Sequence, residues 1–347
     1  MLKFLCIKKI GGILMETIEK VLNPKNLFKT AIIFFIIVMC ISGIFDLNVT
    51  NAVMNQNSIF GTIFQDYGLF PPALVCMISG EIIIQYAKRM KTKAHIKYSV
   101  YVGGFTLIGW QLWNYLKNTI SYNLATLSDI KKGVAIGAAN SDSASLNLSW
   151  LGNASIWLIL LLIVTVITQL WLNKKSDEEI KYLIEVAIIA ILIVILSDTL
   201  NSLMKQYWGR VRPYELNETQ SNYTPWFKIN GPDGHLSFPS GHSESAALSV
   251  LFGIFVSRKN RPLQVKMFCA GIIYSFLMAL SRVRVGAHFF SDTMAGLFTT
   301  FFLIFIVLNI TEKHIVESAT NNYSDKINKS KQDDGKSFSL SNTQTTT

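Results

Sequence analysis

Apolar and polar residues alternate along this chain in long blocks, not in short periods. Eight apolar segments stand out, at 28–47, 69–88, 96–116, 154–172, 181–202, 242–257, 267–286 and 290–311. Several approach the roughly 20 residues that a helix needs to cross the hydrocarbon core of a bilayer. The sixth is shorter and extends into its flanks. Blocks of this length predict an all-α integral membrane protein, a bundle of about eight transmembrane helices.

The links between the blocks set the orientation. Lys88, Arg89, Lys91, Lys93 and Lys97 crowd the second link, Lys174, Lys175 and Lys181 the fourth, and Arg258, Lys259, Arg261 and Lys266 the sixth. The N-terminal region adds Lys20, Lys25 and Lys29. By the positive-inside rule these regions are cytoplasmic, and eight spans place both termini inside. The first link, 48–68, carries no Lys or Arg, as expected of an outer loop. The third, 117–153, is rich in Ser, Asn, Ala and Gly, and reads as a mobile outer loop with little catalytic content.

Composition removes alternatives. Only 16% of the 347 residues are charged, whereas a soluble domain carries about a quarter. The net charge of +10 sits in the links, so it reads as topology and not as a nucleic-acid stripe. Cys40, Cys76 and Cys269 fall inside apolar segments and read as small hydrophobes, while Cys6 lies near the N-terminus. No CxxC or Cys/His spacing suggests a metal, and no internal repeat suggests an inverted-repeat transporter.

At the N-terminus there is neither a good signal peptide nor a span. Ile10-Gly11-Gly12 can be encoded by a purine-rich, ribosome-binding-like stretch just before Met15, which suggests Met15 as the true start and residues 1–14 as untranslated. Intact mass of the natively expressed protein decides this; a mass that includes Met1 excludes it. The remaining divisions are 1–27 as a cytoplasmic N-terminus, 28–172 as N-terminal spans, 173–311 as a core and 312–347 as a disordered cytoplasmic tail.

Two outer links break the charge rule. The fifth holds Lys205, Arg210, Arg212 and Lys228, and the seventh holds Arg282 and Arg284. Cations against the topological preference point to a bound anion, for which arginine's planar fork and lysine's mobile charge are suited. Three patterns sharpen this: Lys205-x6-Arg212-Pro213, Pro239-Ser240-Gly241-His242, and Ser281-Arg282-x5-His288-x3-Asp292. Together they resemble the three signature motifs of the type 2 phosphatidic acid phosphatase family, related to the vanadium haloperoxidases. All eleven fixed positions match, in order.

Physical reasons stand beside the resemblance. Phosphoryl transfer depends on positioning and on stabilising charge spread over the equatorial oxygens. Lys205, Arg212 and Arg282 supply cations. Ser240 and the Gly241 N–H open a helix, where free donors and the dipole favour an anion, and glycine permits close approach. The resemblance implies that His288 attacks phosphorus to form a phosphohistidine, which water hydrolyses. It implies that His242 is the general acid and then the base. Asp292, one turn beyond His288, can fix the imidazole tautomer. One neutral and one protonated histidine give a bell-shaped pH profile. Activity needs no metal and no cofactor.

Bland readings compete at each position. Lys205 and Arg282 are each read singly as snorkelling side chains. His242 alone is a helix-start residue satisfied by backbone, and His288 with Asp292 a structural pair. Eleven coincidences on one face outweigh them. Arg210 and Arg284, in the spacers, suit a supporting or an interfacial role equally. Tyr207, Trp208, Tyr214, Tyr223, Trp226 and Phe227 read as an interfacial belt before a headgroup pocket. Glu81, Glu185 and Asp198 lie within apolar segments. Glu81 reads as a structural polar contact, and Asp198 as a candidate partner for a cation near the site.

The resemblance covers about 180–311 and leaves two spans added before a six-span core. An eight-span layout is also similar to the glucose-6-phosphatase branch, whereas an Asn-, Ile- and Lys-rich composition suggests a bacterium and a lipid substrate. The expected function is hydrolysis of a lipid phosphate or diphosphate (phosphatidic acid, phosphatidylglycerol phosphate or undecaprenyl diphosphate) at the outer membrane face. The partners are the lipid substrate and the membrane, without nucleic acid. A phosphotransferase using the same histidine, and a non-enzymatic transporter of the same fold, stay open as alternatives.

Overall fold

Each of the eight apolar segments forms a helix in the computed structural model, which describes residues 24–137 and 149–317. The helices are α1 (Pro24–Val53), α2 (Ile59–Tyr67), α3 (Phe70–Arg89), α4 (Ala94–Lys132), α5 (Trp150–Leu172), α6 (Asp177–Trp208), α7 (Gly241–Ala247), α8 (Arg261–Arg284) and α9 (Phe290–Ile310). Among the described residues there is no strand. The expectations for residues 1–14, Cys6, most of 141–149 and most of the tail fall outside the described residues.

Six stretches are long and apolar enough to cross a bilayer: Phe28–Val53, Ile59–Arg89, Trp150–Leu172, Asp177–Glu215, Arg261–Arg284 and Phe290–Ile310. The two remaining expected spans fall short for different reasons. α4 carries many polar residues. α7 has only 7 residues before the chain tightens into a 3₁₀ helix over Leu248–Phe255. The larger 3₁₀ rise still carries these two pieces about 26 Å, close to the thickness of a bilayer core.

Two departures concern the expected outer loops. The first link contains α2, capped by Ser58, whose hydroxyl accepts from the Gly61 N–H at 3.2 Å. α2 is amphipathic in reverse: it buries Thr62, Gln65 and Asp66 and turns Ile59, Ile63 and Tyr67 outward. The third link is not loop throughout, because α4 runs on to Lys132 and stops at Gly133 in the left-handed region.

α6 is the axis of the bundle. It starts with a reciprocal capping box between Ser176 and Glu179, with Asp177, Glu178 and Glu179 against the helix dipole. Its Leu183, Val186, Ala187, Ala190 and Ile193 pack with Val75 and Ile82 of α3, Leu248 and Leu251, and Ile304 of α9. A second cluster joins Met39 of α1 and Ala279 of α8 to Met294, Leu297 and Phe298 of α9. α1 lies along α9 through aromatic pairs, including Phe28 stacked on Phe305 at 3.9 Å and Phe35 against Phe298 at 5.3 Å. α5 forms the rim, burying only Gln169 and Leu172 and leaving Ile159, Leu162, Val166 and Ile167 exposed. Such a face suits lipid, where close fit between helices, not expulsion of water, holds the bundle.

The acidic residues within apolar segments separate clearly. Glu81 is buried and accepts from Gln169 Nε2 at 2.7 Å, a structural contact between α3 and α5. Glu185 pairs with Lys313 at 2.6 Å. Asp198 is exposed and has no ion pair among the described residues, so it is not the cation partner expected of it. Cys40, Cys76 and Cys269 are free thiols.

α6 ends at Gly209, which has φ 53°. A β-carbon there would lie 1.9 Å from the Gly231 carbonyl oxygen, so the turn needs glycine for its dihedral and for space. The turn delivers Arg210 and Arg212 to the end of the bundle where α7 and α9 begin. Gly209→Ala is expected to lower stability by about 2 kcal/mol or more, read as a depressed thermal midpoint in detergent. An unchanged midpoint would show that the turn relaxes freely.

Candidate active site

The three motifs meet at one end of the bundle. Lys205 comes from the last turn of α6, Arg212 from the segment after it, Ser240 to His242 from the start of α7, Arg282 from the end of α8, and His288 and Asp292 from the α8–α9 turn and the start of α9. α9 sits so close to α7 that a β-carbon on Gly296 would lie 2.4 Å from the Ser240 carbonyl. The Ser240 N–H donates to the Asp292 carbonyl at 2.9 Å, which ties the second motif to the third. Ser240 caps α7 by accepting from the Ser243 N–H at 3.4 Å.

The cations are gathered without a direct ion pair among the described residues. Lys205 reaches over the backbone at Gly241, where a β-carbon would be 3.3 Å from its Nζ. Arg212 donates from Nη1 to the Tyr214 hydroxyl at 3.0 Å. Arg282 is 3% exposed and donates from Nη2 to Gln65 Oε1 of α2 at 3.1 Å, but its buried Nε and Nη1 have no hydrogen-bond partner among the described residues. The charges of Arg282, Lys205 and Arg212 act on His242, and those of Arg212 and Lys205 on His288. None of the three is in a salt bridge among the described residues. A buried guanidinium with two unused donors lies beside two more cations, an arrangement whose chemistry suits an anion, because unmatched buried donors are costly.

Both histidines belong to this pocket. His242 packs edge-on to Tyr122 of α4 at 6.0 Å between ring centroids, and its buried Nε2 has no partner. His288 Nδ1 lies 2.8 Å from the Ser237 carbonyl oxygen. A carbonyl only accepts, so Nδ1 carries the hydrogen and Nε2 keeps its lone pair. Asp292 does not perform this task directly, since its Oδ2 is 3.8 Å from Nδ1, beyond hydrogen-bond range. Asp292 Oδ2 instead accepts from Ser237 Oγ at 2.6 Å and from the Phe289 N–H at 2.9 Å. The carboxylate therefore acts on His288 through Ser237.

Burial pushes the His288 imidazole down to about 3, with Arg212 and Lys205 adding to the effect and Asp292 opposing it. Protonation occurs as pH falls, so the lone pair stays available throughout the range where an ordinary imidazole titrates near 6.5. Carbethoxylation of His288 by diethyl pyrocarbonate, followed by mass spectrometry, is expected to show no titration between pH 5 and about 7.5. A sigmoid centred near 6.5 would contradict it.

Arg210 takes the supporting one of its two expected roles, and several further contributors carry no motif. Arg210 is fully buried and joins Asp292 to Asp46 of α1, at 2.5 and 3.0 Å. Its guanidinium lies against the Phe289 and Tyr223 rings, 4.2 and 5.7 Å from their centroids. Gln65 and Ser237 have no motif to mark them. Asp46 had one signal, a carboxylate in the last turns of an apolar helix. Arg284 takes the interfacial role, donating from Nη1 to the Val53 carbonyl at 2.5 Å and so anchoring α1. Of the aromatic residues, Tyr214 and Tyr223 touch arginines, Trp208 and Trp226 stack on Phe238, and Tyr207 and Phe227 are exposed.

The fold and this pocket define an integral membrane protein with a buried, cation-lined pocket flanked by two histidines. Residues 186–315 match the PAP2 superfamily. The Lipid A 1-phosphatase of Rhizobium etli is 29% identical over 188 residues, which cover 51% of this chain and 76% of that one. Phosphatidylglycerophosphatase B of Bacillus subtilis is 31% identical over 119 residues, covering 33% of this chain and 52% of the relative. A solved PAP2-type phosphatidylglycerolphosphate phosphatase from Bacillus subtilis aligns with 60% of this chain and 95% of its own, at 18% identity and a TM-score of 0.31.

Proposed function

We propose that the protein is a membrane phosphatase that hydrolyses a lipid phosphate or lipid diphosphate through a phosphohistidine on His288, without a metal. The observation that carries this reading is the pairing of unused buried donors on Arg282 with an unpartnered His242 Nε2 in the same pocket. Lys205, Arg212 and Arg282, with Ser240 and the Gly241 N–H, hold the phosphate oxygens. His288 Nε2 attacks phosphorus, and the bond from phosphorus to the leaving oxygen breaks while His242 supplies that oxygen's proton. Water then attacks phosphorus, His242 takes its proton, and the phosphorus–nitrogen bond breaks to release phosphate and free His288.

The basic links and the bacterial relatives support a pocket on the outer side of a bacterial membrane. The core over 173–311 holds the catalytic groups, and the spans over 28–172 lend it Asp46 and Gln65. A lipid substrate keeps its tails in the bilayer while its headgroup enters the pocket, each buried methylene contributing about 0.8 kcal/mol. The two curated relatives are named for lipid A 1-phosphate and phosphatidylglycerophosphate. Those two classes, with phosphatidic acid and undecaprenyl diphosphate, form the test panel.

The experiment is phosphate release by detergent-purified protein from that panel in the presence of a chelator. Release from at least one lipid, undiminished by chelator, is expected. Dependence on added divalent metal would contradict the metal-free mechanism. Loss of the lipid phosphate with no free phosphate, in the presence of an acceptor, would show a phosphotransferase instead.

A further inference from the structure

Asp46 belongs to α1, outside the family segment of 186–315, yet it is built into the chemistry of His288. We propose that Asp46 is a positioning residue for the reaction, acting through Arg210 and Ser291 to hold the Asp292–Ser237 pair that orients the His288 nucleophile. The inference rests on the phosphatase reading for its kinetic effect and on geometry for the rest.

The connection is continuous. Asp46 Oδ2 accepts from Arg210 Nη2 at 3.0 Å, and Arg210 Nη1 donates to Asp292 Oδ1 at 2.5 Å. Asp46 Oδ1 accepts from the Ser291 N–H at 2.9 Å, and its Oδ2 also accepts from the Ser291 hydroxyl. That hydroxyl in turn accepts from Arg210 Nη1 at 2.8 Å. Asp292 Oδ2 then receives Ser237 Oγ at 2.6 Å, and the Ser237 carbonyl receives His288 Nδ1 at 2.8 Å. Asp46, Arg210, Ser237, Ser291 and Asp292 are all 0% exposed, and His288 is 2% exposed.

Charge gives the chain its purpose. One guanidinium faces two carboxylates, so Asp46 takes up part of a cation that would otherwise bear wholly on Asp292. Without Asp46, Arg210 draws electron density from Asp292, Ser237 Oγ is held less firmly, and the carbonyl that fixes the His288 tautomer loses its anchor. Three buried donors, Arg210 Nη2, the Ser291 N–H and the Ser291 hydroxyl, also lose their acceptor. Outer partners of a working histidine commonly carry 10- to 100-fold of its activity even though they never touch substrate.

The test uses Asp46→Asn in the full chain, with thermal midpoint and gel-filtration profile as controls for folding. A fall in kcat of about 10- to 100-fold with little change in KM is expected, because the substrate pocket itself is untouched. Carbethoxylation of His288 should slow by at least about threefold, the equivalent of one weakened hydrogen bond. Folded Asp46→Asn with unchanged kcat and His288 reactivity overturns the proposal, as does a rise in KM alone. Should Asp46→Asn not fold, Ser291→Ala removes one tie and leaves the ion pair. Its expected effect is a smaller loss of kcat with slower carbethoxylation, and no change in either overturns the proposal. If the unaltered protein releases no phosphate, the phosphatase reading has failed, and the carbethoxylation rate of Asp46→Asn alone decides this inference.

Discussion

Phosphate release is expected to fall by about 10⁴-fold in His288→Gln while the protein still folds. The glutamine side-chain amide can donate to the Ser237 carbonyl as His288 Nδ1 does, so the local structure keeps its anchor. It has no nucleophilic nitrogen to attack phosphorus. Because the phosphohistidine is the only covalent route in the mechanism, the cation cradle retains binding without turnover. Steady-state kinetics should therefore show lost kcat with KM little moved. Activity within tenfold of the unaltered protein would place the nucleophile elsewhere.

The second large effect is on stability. Arg210→Met leaves the buried Asp46 and Asp292 carboxylates without their shared cation. Removing one partner of a buried ion pair costs about 3–5 kcal/mol, since the remaining charge has neither water nor a counter-ion. Arg210→Met is therefore expected to express poorly and to melt well below the unaltered protein in detergent. Arg210→Lys keeps the charge but cannot span both carboxylates, so it should fall between the two. A midpoint for Arg210→Met equal to that of the unaltered protein would mean that the carboxylates take up protons or water without cost.

Those two residues mark what a single sequence does and does not disclose. Membrane helices are legible because lipid demands long apolar runs, and all eight runs are helices. α2 has only nine residues, too few to stand out as a span, although Ile59, Phe60, Ile63, Phe64 and Tyr67 recur at helical spacing. The extension of α4 beyond residue 116 was illegible because its polar residues resemble those of loops. In the site, Lys205, Arg212, Ser240, Gly241, His242, Arg282, His288 and Asp292 were legible as motifs and lie together at one end of the bundle. Their partners were not. Asp46 and Arg210 are 164 positions apart, and Gln65 and Arg282 are 217 apart, so only folding brings them into contact. The spacing of His288 and Asp292 suggested a direct hydrogen bond. The helix start at Phe290 instead turns the carboxylate toward Phe289 N and Ser237, and the bond runs through Ser237.

The central claim is a phosphorylated His288, and rapid quenching tests it most directly. Protein is mixed with a lipid substrate carrying ³²P in the scissile phosphate and stopped in alkali, which preserves phosphohistidine, before peptide mapping. Label on the peptide that contains His288, absent from His288→Gln, is the predicted result. Turnover of the lipid with no labelled protein at any time, or label on another residue, would contradict the account.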